Sequence, residues 1–563
     1  MPHQWIFPKP SQGDDFSREL GIPGCLAGLL ASRGLATAAE VRGFLYPKLS
    51  ALSDPFLLPN LRTAVDRILA AIDREERVVL YGDYDVDGVT SLALFARVLR
   101  AYGLHPEVFL PQRMEEGYGL SPEGVERCLA TYNPQLLIAV DCGTCSVAEV
   151  GMLKERGVEV LVFDHHETKA ELPECVVVNP KLGSDFHYLC SAGIVFKACH
   201  GLMKLRALYS FDLKDSLDLV ALGSVADIVP LIGENRLLVQ KGLQKMENTR
   251  WPGLKALMEV AAVRPPIKPV HVGFQLAPRL NAAGRLGTAE DALHLLLADD
   301  PVKAHDLAMS LDSQNRDRQE LQARIIEEAE AMILQEFDPA KDAAIVLAKE
   351  GWHQGVLGIV AGRVSKAFHR PTLVAGFDES GVGKGSGRSI EGFPLVAALN
   401  QCGQELLEKF GGHEMAAGFT VSRERFERFK RAFLDYARAQ LDAEALRPCL
   451  HLDAELDLAT LDLEFLAQHD LLQPFGVGNL QPLFVARRVA PAGQVRVLKE
   501  KHLSFVVSHT RARDGGRCRA IYFDGARHPL PEPPWDIAFR VERNDYLGNV
   551  SVQMVVQSIR SAQ

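Results

Sequence analysis

Leu80–Ser91 reads LYGDYDVDGVTS, in which three carboxylates spaced by single residues, Asp83, Asp85 and Asp87, stand between Gly82 and Gly88. The apolar run Val78-Val79-Leu80 before them predicts a buried strand running out into a Gly-bearing loop. Open α/β sheets bind ligands at the carboxyl ends of their strands, which is where these acids fall. Three like charges this close repel one another unless a proton or a cation lies among them. Carboxylate oxygens suit hard divalent cations such as Mg²⁺ and Mn²⁺. The plain alternative is an acidic surface turn, and the rest of the chain decides between the two.

Outward from this stretch, strand and helix patterns alternate. Leu61–Glu76 carries apolar residues at helical spacing, and Val89–Tyr102 follows the acids as an amphipathic helix. Leu136–Val140 ends in Asp141, Val158–Phe163 ends in Asp164-His165-His166, and Val176–Val178 runs into Asn179. The alternation predicts a parallel sheet with both faces covered. Its strand ends lie side by side, so the three acidic ends converge on one crevice. Asp227, near the end of the apolar stretch Leu217–Ile228, is costly unless paired, hydrogen-bonded or metal-bound, and joins them as a fourth contributor. Ser191–Lys197 (SAGIVFK) suits either a phosphate-receiving helix start or close helix packing. Arg279, Asn281 and Arg285 sit among small residues in a composition suited to phosphate recognition. Structural ion pairing is the alternative for both arginines.

Asp300-Pro301 is a helix start, and no Gly or Pro follows until after Phe337. A helix of that length is roughly 54 Å long. Its middle, Asp312–Glu320, is polar on every face, which predicts a connector between two lobes. Ala343–Leu347 then opens a second α/β unit rich in Gly, at Gly351–Gly358, Gly383–Ser389 and Gly411-Gly412-His413. Such glycines allow close backbone approach to a ligand, with Arg388, Ser389 and His413 placed to hydrogen-bond phosphates. From about residue 448, short β-rich pieces separated by turns such as Asp514-Gly515-Gly516 suggest a small barrel. Arg487, Arg488, Arg496, Lys499, Lys501, Arg511, Arg513, Arg517 and Arg519, with Phe505, Tyr522 and Phe523, combine a basic groove with aromatic platforms for single-stranded nucleic acid. Residues 1–50 read as an N-terminal cap without chemistry of its own.

At 563 residues the chain exceeds what one core usually serves. A net charge of −10 argues against a uniformly DNA-coating protein but leaves room for a local basic groove. No apolar run approaches the ~18 residues of a membrane helix. Ten scattered Cys suit reduced thiols in the cytoplasm. The pair Cys142/Cys145 lacks the second pair a zinc site needs.

GDYDVDG (82–88), VDCG (140–143), DHH (164–166) and SVAD (224–227) resemble the ordered motifs of the DHH phosphoesterase superfamily. WHQGVLGIVAGR (352–363), GSGRS (385–389) and GGHEMAAGF (411–419) are similar to the DHH-associated substrate domain. PFGVGNLQPLF (474–484) resembles the entry to the OB-like domain of the superfamily's bacterial single-strand exonucleases. The resemblance implies an α/β protein. Its parts would be a cap (1–50), a parallel-sheet DHH domain (51–300), a connecting helix (301–340), a second α/β, DHH-associated domain (341–445) and a C-terminal OB-like β-barrel (446–563).

The implied activity is 5′→3′ exonucleolytic hydrolysis of single-stranded DNA to mononucleotides, in recombination and repair. It would use two divalent cations, Mn²⁺ or Mg²⁺, to activate a water for in-line attack on phosphorus. Single-strand-binding protein and a recombination helicase are the implied partners, with no membrane. The implied metal set is Asp85, Asp87, Asp141, His165 and Asp227, with Asp141 or Asp227 as bridge and Asp83 either a ligand or beside the set. Asp164 would orient His165, and His166 would hydrogen-bond the scissile phosphate. Arg285 would join His166 and Asp164 as a catalytic residue, Arg279, Arg388, Ser389 and His413 would hold nucleotide phosphates with Asn281 beside them, and Arg487 and Lys501 would meet DNA on the barrel. A small-substrate phosphohydrolase would use the same cation site without needing the basic C-terminal domain. A non-enzymatic scaffold of the same class would typically have lost ligands.

Overall fold

The computed structural model describes residues 3–7, 14–112, 116, 119–286, 289–509, 516–527, 529–546 and 548–562. The apolar runs at Val78–Gly82 (β1), Glu107–Phe109 (β2), Leu136–Val140 (β3), Glu159–Phe163 (β4) and Val176–Val178 (β5) form one wholly parallel sheet, in the order β2-β1-β3-β4-β5. Side chains alternate across it. Leu80, Ile138 and Leu161 enter the core shared with helices α1 (Val86–Ala101), α2 (Ser191–Leu205) and α3 (Leu217–Ala226), and Tyr81, Ala139 and Val162 enter a second core on the other face. Both faces are therefore dry, which is why these strands are apolar throughout. The strand order reverses at β1 and β3, the topological switch point where such sheets bind ligands.

Helix α1 begins at Val86, three residues before the amphipathic pattern alone predicts. The Asp85 carboxylate caps it, accepting from the Gly88 N–H at 3.0 Å. Asp87 thus stands in the first helical turn, not in a loop.

After α4 (Ala277–Leu286), residues Pro301–Glu336 form one continuous helix of 36 residues, α5, capped by Asp300. It does connect two cores. Ala304, Ala308 and Leu311 pack into the first, and Ile325, Ile326, Ala329 and Ile333 into that of the next unit. Its polar middle is not a solvated bridge, however. Asp312, Asn315 and Arg318 are buried, and Asp312 pairs with Arg279 of α4 at 2.9 Å.

The second unit has a mixed sheet of β6 (Ile345–Glu350), β7 (Thr372–Phe377), β8 (Val382–Arg388), β9 (Lys409–Gly412) and β10 (Ala416–Ser422), in the order β9-β10-β8-β7-β6. Here the glycines of the 383–387 stretch lie in a strand. A Cβ on Gly385 would sit 2.1 Å from the Phe419 ring, and one on Gly387 would sit 2.6 Å from Leu373. They make room for core side chains, not for a ligand.

In the C-terminal region β11 (Phe484–Pro491), β12 (His502–His509), β13 (Arg517–Tyr522), β14 (Trp535–Tyr546) and β15 (Asn549–Ser561) run β11-β14-β15-β13-β12. Pairing of β11 with β12 closes the barrel. The N-terminal segment belongs to this core. Gln4–Ile6 pairs with Cys449–His451, and Leu26, Leu30, Val41 and Leu45 pack with Phe465 and Phe484. Among the described residues no helix is long and apolar enough to cross a membrane.

Candidate metal centre

The three acidic strand ends and Asp227 meet at the carboxyl edge of the sheet. Asp83 lies just beyond β1 and Asp141 just beyond β3, and both are buried. His165 lies two residues beyond β4, with its Nε2 3.3 Å from Asp141 Oδ1, 3.5 Å from Asp227 Oδ2 and 3.9 Å from Asp87 Oδ2. Asp227 is the residue on which α3 ends. Three overlapping donor sets each bring their ligand atoms within 4.8 Å: Asp83/Asp85/Asp141, Asp87/His165/Asp227 and Asp141/His165/His166. All six sequence-predicted metal residues are gathered, together with His166.

The loop can fold this tightly because Gly88 carries no side chain. A Cβ there would lie 2.3 Å from the Asp83 carbonyl oxygen. Asp87 is held by α2, accepting from the Ser191 N–H at 2.7 Å and the Ala192 N–H at 3.0 Å. The SAG turn therefore spends its first N–H groups on the protein's own carboxylate, not on a phosphate. Ser191 and its neighbours were legible as a helix start, but their partner became visible only in three dimensions.

Electrostatics match a cation site. Burial, then the charge of Asp85, lifts Asp87 to about 6. Burial, then Asp87, lifts Asp227 to about 8. Burial and the surrounding aspartates push Asp141 well above the carboxylate range. Burial and the adjacent His166 lower His165 to about 3, which leaves its imidazole neutral, the form that binds metal. Such a donor set fits divalent cations. Like charges have been gathered out of water, and a cation relieves both their mutual repulsion and their desolvation.

Asp164 does not hydrogen-bond the ring of His165. Its Oδ1 meets His166 Nδ1 at 2.7 Å and accepts the backbone N–H groups of His165 and His166, while Oδ2 accepts the Thr144 N–H. Asp164 thus orients His166. Burial opposes charge on that imidazole, but the Asp164 hydrogen bond together with the charges of Asp164, Asp227 and Asp83 raises His166 to about 9. Asn179, missed in sequence reasoning, completes the loop by donating to Thr144 Oγ1 and to the His166 carbonyl.

The anticipated phosphate-binding residues divide. Arg285 donates to the Gly355 carbonyl at 2.9 Å, joining α4 to the first turn of helix α6 (Gln354–Phe368). Arg388 lies beside the Ser386 hydroxyl at 3.2 Å, near that same helix start. His413 is exposed. The Lys181 hydrogen bond and charge hold Glu167, the residue after the DHH motif, below the usual carboxylate range. Asn281 is half-buried on α4. By contrast, Arg279 is taken up by Asp312 and the Gln275 carbonyl, and the buried Ser389 hydroxyl donates to the Phe393 carbonyl.

On the barrel, Arg487 pairs with Glu455 at 2.9 Å, whereas Lys501 is exposed. Phe505 points into the barrel against Trp535 and offers no platform; Phe523 is exposed, against His502. Arg517 and Arg519 are exposed on β13, and Arg511, Arg513 and the turn residues Asp514-Gly515 lie outside the described residues.

Comparison with known proteins adds the following. Residues 77–224 match the DHH family N-terminal domain, 341–439 the DHHA1 domain and 452–558 the RecJ OB domain. The single-stranded-DNA-specific exonuclease RecJ of Dickeya dadantii is 35% identical, covering 96% of this chain and 96% of its own. That of Bacillus subtilis is 37% identical over 85% of this chain, which spans 61% of the relative's length. The crystal structure of RecJ in complex with Mn²⁺ from Thermus thermophilus superposes with a TM-score of 0.85 at 31% identity, covering 100% of this chain and 80% of that one. With the order of the three matched domains and identity sustained along nearly the whole length, the chain belongs to the RecJ family.

Proposed function

We propose that this protein is a metal-dependent exonuclease that degrades single-stranded DNA from the 5′ end to mononucleotides, in recombination and repair. The observation that carries this is the convergence of five buried or half-buried aspartates and a neutral imidazole at a switch point. Asp83, Asp85, Asp87, Asp141, His165 and Asp227 would hold two divalent cations, Mn²⁺ or Mg²⁺. Bound cations supply an activated water and neutralise phosphate charge. The chain's own residues do the rest. The His166 imidazolium, fixed by Asp164, donates to a phosphate oxygen and stabilises its developing charge. Arg388, with Ser386 and the start of α6, grips a neighbouring phosphate. The barrel's exposed arginines draw in the strand.

Single-strand-binding protein and a recombination helicase are the partners we assign, and the cytoplasm the compartment. Support comes from the family, with ten unpaired cysteines adding to it for the compartment. Complete retention of the ligand set disfavours a scaffold role.

The test is digestion of single strands labelled at either end, with Mn²⁺ or Mg²⁺, by the parent chain, Asp141→Ala and His165→Ala. The parent should release label from the 5′ end first. Both variants should lose at least ~10³-fold in turnover while still binding DNA. Near-normal turnover in either variant removes the metal assignment.

A further inference from the structure

The turn that opens α2 does something its own chemistry does not announce. Ser191 is fully buried and touches two cation-site carboxylates, one in the first turn of α1 and one just beyond β3. Its backbone N–H reaches Asp87 Oδ2 at 2.7 Å, and its hydroxyl donates to Asp141 Oδ1 at 2.8 Å. The next N–H, of Ala192, takes the other Asp87 oxygen at 3.0 Å. We propose that Ser191 is a positioning residue that sets the separation of Asp87 and Asp141, and so enables the centre to hold two cations instead of one. This rests on the cation-binding reading above.

The geometry is asymmetric in a useful way. Asp87 is held by main-chain donors that truncating the side chain of Ser191 leaves in place, and by the positive end of α2. Asp141 is held by a side-chain hydroxyl, which has one proton to give. That proton goes to Oδ1, the same oxygen that stands 3.3 Å from His165 Nε2. The hydroxyl thereby fixes the rotation of the Asp141 carboxylate, which decides the directions left for cations. Without it, α2 would no longer fix the orientation of the Asp141 carboxylate relative to that of Asp87. Partners one step removed from a metal change its affinity by roughly 10–100-fold.

The experiment is calorimetric titration of the full chain with Mn²⁺ alone, without DNA, alongside the melting temperature of the metal-free protein. The parent chain should show two binding events. In Ser191→Ala one event should stay near the parent affinity and the other weaken by roughly 10–100-fold, with the metal-free melting temperature within a few degrees of the parent. Ser191→Cys keeps the shape with a weaker donor and should fall between them. A Ser191→Ala titration matching the parent overturns the proposal. So does equal weakening of both events with a large drop in metal-free melting temperature, since that is the signature of a merely structural residue. Fewer than two events in the parent would instead sink the two-cation reading itself.

Discussion

Asp141 adopts a φ of 64°, in the left-handed region that few residues other than Gly enter. Asp tolerates it better than most, and such conformations are retained where the surroundings over-determine them. Here β3 ends, the Ser191 hydroxyl and His165 meet one oxygen, and the carboxylate is buried. The same crowding makes a pH prediction. Asp87 and Asp227 have ordinary values of 3.8 and stand at about 6 and about 8 when folded. Between those limits the folded chain holds protons that the unfolded chain has released. The stability these groups contribute is therefore present at low pH and lost as pH rises through 6 to 8. The metal-free protein should melt at a lower temperature at pH 8.5 than at pH 6, and saturating Mn²⁺ should shrink that difference. Calorimetric scans with and without chelator check this, and a metal-free melting temperature that rises over this interval would contradict it.

At the scale of the element, much could be read directly. The strand–acid–helix unit at 78–101 follows from its pattern, and only the helix start shifted, because Asp85 serves as a cap. The glycine-rich strand β8 shows where local reading fails. Glycine beside Ser and Arg looks the same whether it admits a ligand or a neighbouring ring, and only the pairing of β8 with β10 brings Phe419 over Gly385. Gly385→Ala should therefore cost about 1–3 kcal/mol by overpacking and leave Mn²⁺ affinity unchanged. Urea denaturation and Mn²⁺ titration measure the two effects separately. Unchanged stability with impaired nucleotide binding would restore the ligand reading. The centre of α5 teaches the same lesson. Asp312 looked solvated along the helix and is instead paired with Arg279, a partner 33 residues away.

Across the whole molecule, the barrel is fastened next to the metal centre. Arg236 lies over the Phe44 ring and donates to the carbonyls of Phe44, Leu471 and Leu472 at 2.8–3.2 Å. The Leu231 N–H, four residues after Asp227, donates to the Val477 carbonyl at 2.7 Å. Arg236→Ala leaves buried carbonyls without their donor, at about 1–3 kcal/mol each at most. It should produce an early-melting unit containing the barrel and the N-terminal helices, with Mn²⁺ binding retained. Scanning calorimetry with limited proteolysis would show it, and a single unshifted transition would refute it. On the outer face, Arg517→Glu with Arg519→Glu should weaken single-strand binding. The logarithmic salt slope should also flatten, by roughly 0.7 for each phosphate no longer engaged, whereas an unchanged slope would clear β13 of any role in holding DNA.

By itself the sequence determined the acid-tipped strands and the long helix, each a local pattern of hydrophobicity or charge. Through its resemblance to the DHH superfamily it also pointed to the motif order and to the six residues proposed to hold metal. The tertiary structure alone decided which polar groups meet. Asp164 serves His166, Ser191 joins Asp87 to Asp141, Phe505 is inside the barrel, and the N-terminal helices complete the C-terminal core. A polar side chain must be satisfied when buried, but its own neighbours in the chain do not say by whom.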